Sequence, residues 1–195
     1  MSKFLFRLLL IATMVVSYTS CSSVILPALP FSAPLNSTTV FLGDYITQFW
    51  PMPKHNAGIS GQKTSDMLGR LSADVLGKGY KRVVILGGTN DIILPPHDYS
   101  VVPLNLEAMA TMAQDAGIEV VLCKLPPIIW ASDDLNPQVV SVNKEITALA
   151  NEKGYLLVDF DTLMSGHPEY FRDGVHPTSL GYAVMETALS EVVTK

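Results

Sequence analysis

Short, continuous apolar runs alternate along the chain with segments in which apolar residues recur at helical spacing. The continuous runs cover residues 39–42, 82–86, 118–123 and 155–160. The helical segments cover residues 65–76, 104–116, 139–153 and 178–193. Ser65 and Gly77 are the expected N-cap and stop of the first of these helices. Apolar strands that alternate with helices are typical of a parallel sheet covered on both faces, so the pattern predicts an α/β fold.

The least regular loops follow the carboxyl ends of the predicted strands. They are Gly43-Asp44-Tyr45, residues 87–91, residues 126–137 and the stretch before His176. In parallel sheets ligands bind beyond the carboxyl ends of the strands. The sequence therefore predicts a binding or catalytic site at this edge.

Composition excludes several classes of function. The chain has 195 residues, of which 48% are hydrophobic and 16% charged, as expected of one compact domain. Its net charge is −5, and without a basic cluster it is not expected to bind nucleic acid. No cofactor is expected, because Gly87-Gly88 lacks the third glycine of a dinucleotide fingerprint. No metal is expected either, since ligand spacing is missing among His55, His97, His167 and His176.

The N-terminus has the pattern of an export signal. Lys3 and Arg7 are followed by an apolar run, residues 8–16, that is short for a membrane span. Tyr18-Thr19-Ser20-Cys21 resembles a bacterial lipoprotein cleavage box, although Tyr18 stands where Leu is usual. We interpret residues 1–21 as a signal peptide of the lipoprotein type, with simple secretion and an uncleaved anchor as the alternatives.

The same interpretation sets the domain boundaries and the location of the protein. Residues 22–38 hold three prolines among Ser and Thr and form a tether, and residues 39–195 form the domain. A lipid on Cys21 would hold the domain on a membrane of the bacterial cell envelope; without it the protein would be periplasmic or secreted. The other cysteine, Cys123, is expected in a buried strand, so no disulfide is predicted.

Four motifs stand in order at the predicted strand ends. They are Gly43-Asp44-Tyr45, residues 56–61, residues 88–91 and residues 173–177. Each alone is ordinary turn chemistry, but the ordered set resembles the blocks of the SGNH/GDSL ester hydrolases over roughly residues 40–190. The resemblance implies a three-layer α/β/α sandwich with a mainly parallel, flavodoxin-like sheet. It also implies hydrolysis of a carboxylic ester or a carbohydrate O-acyl ester.

The resemblance assigns a role to one residue of each block. His176 is the implied general base, and Asp173 is its implied partner, three residues earlier in the same loop. The implied donors to the oxyanion are the backbone N–H groups of Tyr45 and Gly61 and the side-chain amide of Asn90. A neutral imidazole can accept a proton near neutral pH, which suits His176 for its role.

Tyr45 is the departure from the family pattern, because the family has its serine nucleophile at this position. A tyrosine hydroxyl lies roughly 4 Å further from Cα than a serine hydroxyl, and it ionises only near pH 10. Ser60 is an alternative nucleophile, but it matches the residue before the oxyanion glycine Gly61.

Three hypotheses follow from this departure. The protein is an ester hydrolase that activates water or an unusual nucleophile, or a non-catalytic ligand- or glycan-binding protein of the bacterial envelope, or a structural envelope protein. The retained residues Gly61, Asn90, Asp173 and His176 place the third hypothesis last.

Two tryptophans are candidates for contact with the ligand, a small-molecule or glycan ester. Trp50 and Trp130 lie in short proline-containing loops near the predicted cleft. Their rings can stack on a sugar or an acyl chain. The alternative is that they cover the edge of the core.

Overall fold

Five parallel strands form a single sheet in the computed structural model, which describes residues 37–130 and 134–194. The strand order is β2-β1-β3-β4-β5, which is the flavodoxin-like order. The strands are β1 (Thr39–Gly43), β2 (His55–Gly58), β3 (Arg82–Leu86), β4 (Glu119–Lys124) and β5 (Leu156–Asp159). The predicted α/β class and its parallel sheet are confirmed. The proposed leader, Cys21 and most of the tether lie outside the described residues.

Helices cover both faces of this sheet. They are α1 (Tyr45–Gln48), α2 (Thr64–Asp74), α3 (Thr89–Ile93), α4 (Val102–Asp115), α5 (Asn136–Lys153), α6 (Phe160–Met164) and α7 (Ser179–Val193). Short 3₁₀ turns cover Tyr99–Val101 and Pro168–Tyr170. Helices α2, α4 and α5 pack in a row, and α6 packs against α7, which gives the predicted α/β/α layers. No helix within the described ranges is both long and apolar enough to cross a membrane.

Four strands and four long helices confirm the predicted segments to within three residues at each end. Strand β2 was not predicted, because its sequence His-Asn-Ala-Gly is short and mostly polar. The polar sequence is tolerated because β2 lies at the edge of the sheet, where it pairs with β1 and with no other strand in the described ranges.

The predicted N-cap of α2 is wrong. The helix begins at Thr64, and Lys63 is its N-cap residue. The Lys63 N–H donates to Asp66 Oδ2 at 2.9 Å, and the Thr64 hydroxyl donates to Asp91 Oδ1 at 2.9 Å. The bond between Thr64 and Asp91 joins residues distant in sequence, so the local sequence does not reveal it. It holds Thr64 as the first residue of the helix, and Ser65 is therefore inside the helix and not its cap.

The core consists of the apolar strands and the helix faces that cover them. Every residue of β1 is buried, and the central strands β3 and β4 are buried over most of their length. Cys123 lies in β4 with 1% exposure, as predicted for a buried strand residue. Burial of a continuous apolar strand on both faces is what fixes the register and brings the strand ends to one edge.

Gly43 shapes the first strand end. A Cβ atom at this position would clash with Thr47 Oγ1 in α1 and with the Leu86 carbonyl oxygen at the end of β3. Only glycine therefore allows α1 to turn back directly at the end of β1. Asp44 then caps α1, since its Oδ1 accepts a hydrogen bond from the Ile46 N–H at 2.9 Å.

Candidate active site

His176 and Asp173 form a hydrogen-bonded pair. The His176 Nδ1 atom lies 2.8 Å from Asp173 Oδ2 and 3.0 Å from Oδ1. Burial acts to raise the pKa of Asp173, but the N–H groups of His176 and Val175 and the imidazole together lower it. An ionised carboxylate can only accept, so Nδ1 carries the proton and Nε2 presents its lone pair. The pair is therefore oriented for proton transfer at Nε2.

The loop that carries this pair is held by neighbouring backbone. Gly174 has φ +89°, and a Cβ atom there would lie 2.9 Å from the Ile129 carbonyl oxygen. The Ile129 N–H donates to the Gly174 carbonyl oxygen at 2.9 Å, and the Arg172 N–H donates to that of His176 at 2.8 Å. These contacts fix the positions of Asp173 and His176 relative to the sheet.

Tyr45 lies against the imidazole with its hydroxyl directed into the protein. The two ring centroids are 4.6 Å apart with an interplanar angle of 51°, and Tyr45 is only 4% exposed. Burial raises the pKa of Tyr45 far above that of a free phenol, and the charges of Asp44 and Asp173 raise it further. The phenol is therefore neutral at physiological pH.

The buried Tyr45 hydroxyl lacks good hydrogen-bond partners among the residues that the structure describes. Within the described residues, neither the Tyr45 hydroxyl nor the buried Thr89 hydroxyl completes a well-formed hydrogen bond. The two groups still lie close enough for Thr89 to lower the pKa of the phenol slightly against the effect of burial. An unsatisfied buried hydroxyl costs stability, so the phenol is not held there by its own polar contacts.

Two buried carboxyl groups, those of Asp44 and Asp91, lie near enough for their charges to interact. Asp44 is fully buried, and its Oδ2 atom has no partner among residues 37–130 and 134–194. Burial raises the pKa of Asp44 to about 7 against the effect of the Ile46 N–H, and the charge of Asp91 raises it further. Burial also raises the pKa of Asp91, although the N–H and hydroxyl of Thr64 donate to it. Sequence reasoning did not single out either carboxyl group, though both stand in the recognised motifs.

Gly61 and Asn90 belong to one linked loop system. Asn90 is 2% exposed, and its Nδ2 donates to the Gln62 carbonyl oxygen at 2.8 Å. The bonds from Thr64 to Asp91 tie the same loop to helix α3 a second time. Gly61 has φ +80°, and its N–H donates to no acceptor in the described part of the chain. This N–H and the second amide hydrogen of Asn90 therefore have no protein acceptor among the described residues.

The two halves of the site meet at Tyr45. Its ring contacts His176 on the dyad loop, while its hydroxyl lies by Thr89, the neighbour of Asn90. Strands β1 and β2 end in register, with Gly43 opposite Gly58, so the Gly61 loop follows at the same edge. Tyr45 begins α1, so its N–H has no acceptor within that helix.

The two tryptophans differ in their surroundings. Trp50 is 2% exposed and packs among Phe41, Phe160 and Tyr182, with ring centroids 5.5–6.1 Å apart. The expectation that Trp50 lines the cleft is therefore wrong; it covers the core, because aromatic residues of three elements surround it. Trp130 is 36% exposed. A Cβ atom added at Gly174 would lie 3.0 Å from its indole Cδ1, so Trp130 borders the dyad loop.

A groove of about 600 Å³ opens beside the dyad. It is lined by apolar, hydroxyl-bearing and basic residues, namely Phe49, Pro51, Pro177, Tyr182, Thr178, Ser179, His176 and Arg172. This volume suits a small organic ligand. Sequence reasoning missed Phe49 and Arg172; the position of Arg172 just before the Asp173 motif was the available signal.

Ser60 is exposed, and its N–H donates to Gln48 Oε1 at 2.6 Å. Within the described ranges, no cluster of His, Cys, Asp and Glu could hold a metal ion.

Comparisons with known proteins agree with this geometry. The model of the GDSL-like lipase/acylhydrolase family matches residues 18–184. A GDSL-like lipase from Bacteroides thetaiotaomicron has 29% identity and a TM-score of 0.75, over 86% of this chain and 92% of that protein. An acylhydrolase structure from Bacteroides fragilis, described as putative, has 30% identity and a TM-score of 0.73, over 80% and 86%.

A more distant structure shares the fold. A variant of an acetyl xylan esterase from Geobacillus stearothermophilus has 19% identity and a TM-score of 0.67, over 80% of this chain and 93% of that protein. None of the curated proteins matches the chain significantly.

Proposed function

Because the chain belongs to the GDSL-like lipase/acylhydrolase family, we propose that it binds a small-molecule ester or an O-acylated glycan beside His176 and hydrolyses it only slowly. The observation that carries this proposal is the position of Tyr45. Its neutral hydroxyl is buried away from solvent, while its ring covers the imidazole where a nucleophile would stand. Tyr45 therefore supplies no nucleophile, although the base and its partner remain aligned.

The proposed slow reaction uses water. His176 Nε2 takes a proton from a water molecule as the water oxygen attacks the ester carbonyl carbon, and Asp173 stabilises the imidazolium that forms. The oxyanion accepts hydrogen bonds from the N–H groups of Gly61 and Tyr45 and from the Asn90 amide. The imidazolium then returns its proton to the leaving alcohol, and the acid and the alcohol are released.

Tyr45→Phe tests whether the phenol takes part. This change removes only the hydroxyl, so the proposal predicts that hydrolysis of 4-nitrophenyl acetate by the natural protein changes less than about twofold. Stability should be equal or higher, because an unsatisfied buried hydroxyl is lost. His176→Ala should abolish the slow hydrolysis above background.

Ser60→Ala is the matched control for an alternative nucleophile and should also leave the rate unchanged. A large loss of hydrolysis in Tyr45→Phe would show that the phenol attacks the ester. If His176→Ala hydrolyses as fast as the natural protein, the site is non-catalytic, and ligand binding alone remains.

The location of the protein is proposed from its leader. We propose export to the bacterial cell envelope with a lipid on Cys21, on the basis of the basic start, the apolar run and the cleavage box. Mass spectrometry of the mature protein is expected to show acylated Cys21 as the first residue. Cleavage at another position, or an unmodified Cys21, would contradict the lipid anchor.

A further inference from the structure

The groove beside His176 carries one unpaired positive charge. Arg172 is exposed, and its guanidinium makes no ion pair within residues 37–130 and 134–194. Among the residues that the structure describes, no Asp or Glu side chain lines the groove. The carboxylate that follows Arg172 in the sequence, Asp173, is held by the imidazole and by two backbone N–H groups. In a chain with net charge −5, this groove is therefore locally positive.

The backbone of Arg172 is fixed relative to the dyad. Its N–H donates to the His176 carbonyl oxygen at 2.8 Å, and the flanking residues Phe171 and Pro177 form a β-bridge. The guanidinium lies close enough to Tyr182 to act on that buried phenol. Arg172 thus projects from a fixed position into the same groove that the imidazole lines.

A second arginine, Arg70, differs from Arg172 in that each nitrogen of its guanidinium donates a hydrogen bond within the protein. Arg70 donates to Asp74 Oδ2 at 2.6 Å, to Gln62 Oε1 at 2.5 Å and to the Gly43 carbonyl oxygen at 3.0 Å. Its guanidinium is occupied by the protein and serves to hold the loops together. The Arg172 guanidinium makes no comparable side-chain bonds in the described residues, which leaves its donors for a ligand.

We propose that Arg172 is a specificity-determining residue that selects ligands carrying an anionic group on the alcohol side of the ester. The alcohol side is expected in this groove because the groove opens beside the imidazole that protonates the leaving alcohol. The apolar walls, Phe49, Pro51 and Tyr182, would contact the body of the ligand, and the guanidinium would pair with a carboxylate or a phosphate. The planar fork of arginine suits both anions equally. This inference rests on the proposed function, because it places the ester carbonyl beside His176.

Binding of product-like ligands tests the inference without catalysis. The natural protein is titrated with 4-hydroxybenzoate and with its neutral methyl ester, and the ratio of the two affinities is measured by NMR. The ratio should favour the anion by about fivefold, which is typical of a partly exposed ion pair. Arg172→Gln should lose this preference, whereas Arg172→Lys should keep part of it. Higher salt should also reduce the preference.

Lys78→Gln is the matched control, because it removes the same charge from an exposed site that does not line this groove. It should leave the ratio unchanged. Equal ratios in the natural protein and Arg172→Gln, an equal loss in Lys78→Gln, or no binding of either ligand would overturn the inference. A parallel titration with phenyl phosphate and phenol tells whether the anion is a carboxylate or a phosphate. For each pair, the affinity ratio of anion to neutral ligand is compared between the natural protein and Arg172→Gln. The anion whose ratio falls more in the variant identifies the ligand class.

Turnover gives a second readout in the Tyr45→Ser protein. The rate ratio for 4-acetoxybenzoate over its methyl ester should fall about fivefold on adding Arg172→Gln. Comparing this ratio between the two proteins cancels the intrinsic reactivity of each ester. If Tyr45→Ser is inert, the claim that the site lacks only its nucleophile fails, but the binding ratio still tests Arg172 by itself.

Discussion

Tyr45→Ser is expected to raise kcat/KM for short-chain 4-nitrophenyl esters by about 10³-fold or more. The structure gives the reason, since the His176–Asp173 pair is already formed and the Tyr45 ring occupies the space beside the imidazole. A serine hydroxyl there can pass its proton to Nε2 and attack the ester directly. Steady-state kinetics with 4-nitrophenyl acetate and butyrate check this prediction.

Tyr45→Ser both adds a serine hydroxyl and removes the tyrosine ring, and two controls separate these effects. Tyr45→Ala removes the ring without adding a hydroxyl, and it should gain little over the natural protein. Tyr45→Ser combined with His176→Ala should lose the gain, because the serine then has no base.

Loss of the buried ring is expected to cost about 3 kcal/mol of stability in both Tyr45→Ser and Tyr45→Ala. Circular dichroism should therefore confirm that the variants are folded at the assay temperature. Equal activity of folded Tyr45→Ser and Tyr45→Ala would contradict the prediction.

Asp44→Asn is expected to remove a large pH dependence of stability. Burial raises the pKa of Asp44 from the usual 3.8 to about 7 in the folded protein. Between these two values the folded state holds a proton that the unfolded state has released, so each rise in pH favours unfolding. The free energy of unfolding of the natural protein should fall from pH 4 to pH 7, by at most about 1.4 kcal/mol per pH unit for this group, and level off above.

Urea denaturation at pH 5, 6, 7 and 8 measures this effect as a difference between the natural protein and Asp44→Asn. The difference cancels the contributions of groups that the two proteins share. The variant should keep the pH dependence of the remaining groups, among them Asp91, whose pKa burial raises, and Asp173, whose pKa is lowered. Parallel curves for the two proteins would show that Asp44 titrates normally in the fold.

The fold could be predicted well from the sequence because its strands are apolar on both faces. Such runs are typical of the strands of a covered parallel sheet, and they place the loops at one edge. Strand β2 escaped prediction because an edge strand can be short and polar. The cap at Lys63 escaped because it depends on Asp91, which lies distant in sequence but adjacent in space.

The site was predicted where local spacing fixes geometry and not where packing decides. The family resemblance implied the contact between Asp173 and His176, and it forms in the structure because both residues lie in one tight loop. The direction of the Tyr45 ring and the burial of Trp50 depend on surrounding side chains from several elements. Proximity in sequence to the motifs could not decide which aromatic ring faces the ligand.

The most direct test of the central claim is covalent labelling with diethyl 4-nitrophenyl phosphate, read by intact-protein mass spectrometry. An activated hydroxyl attacks the phosphorus atom, 4-nitrophenolate leaves, and a stable diethylphosphoryl group stays on the protein. We expect one such group on Tyr45→Ser and none on the natural protein or on Tyr45→Ser combined with His176→Ala. Labelling of the natural protein that disappears in His176→Ala, on Tyr45 or on Ser60, would contradict the claim that this site lacks only its nucleophile.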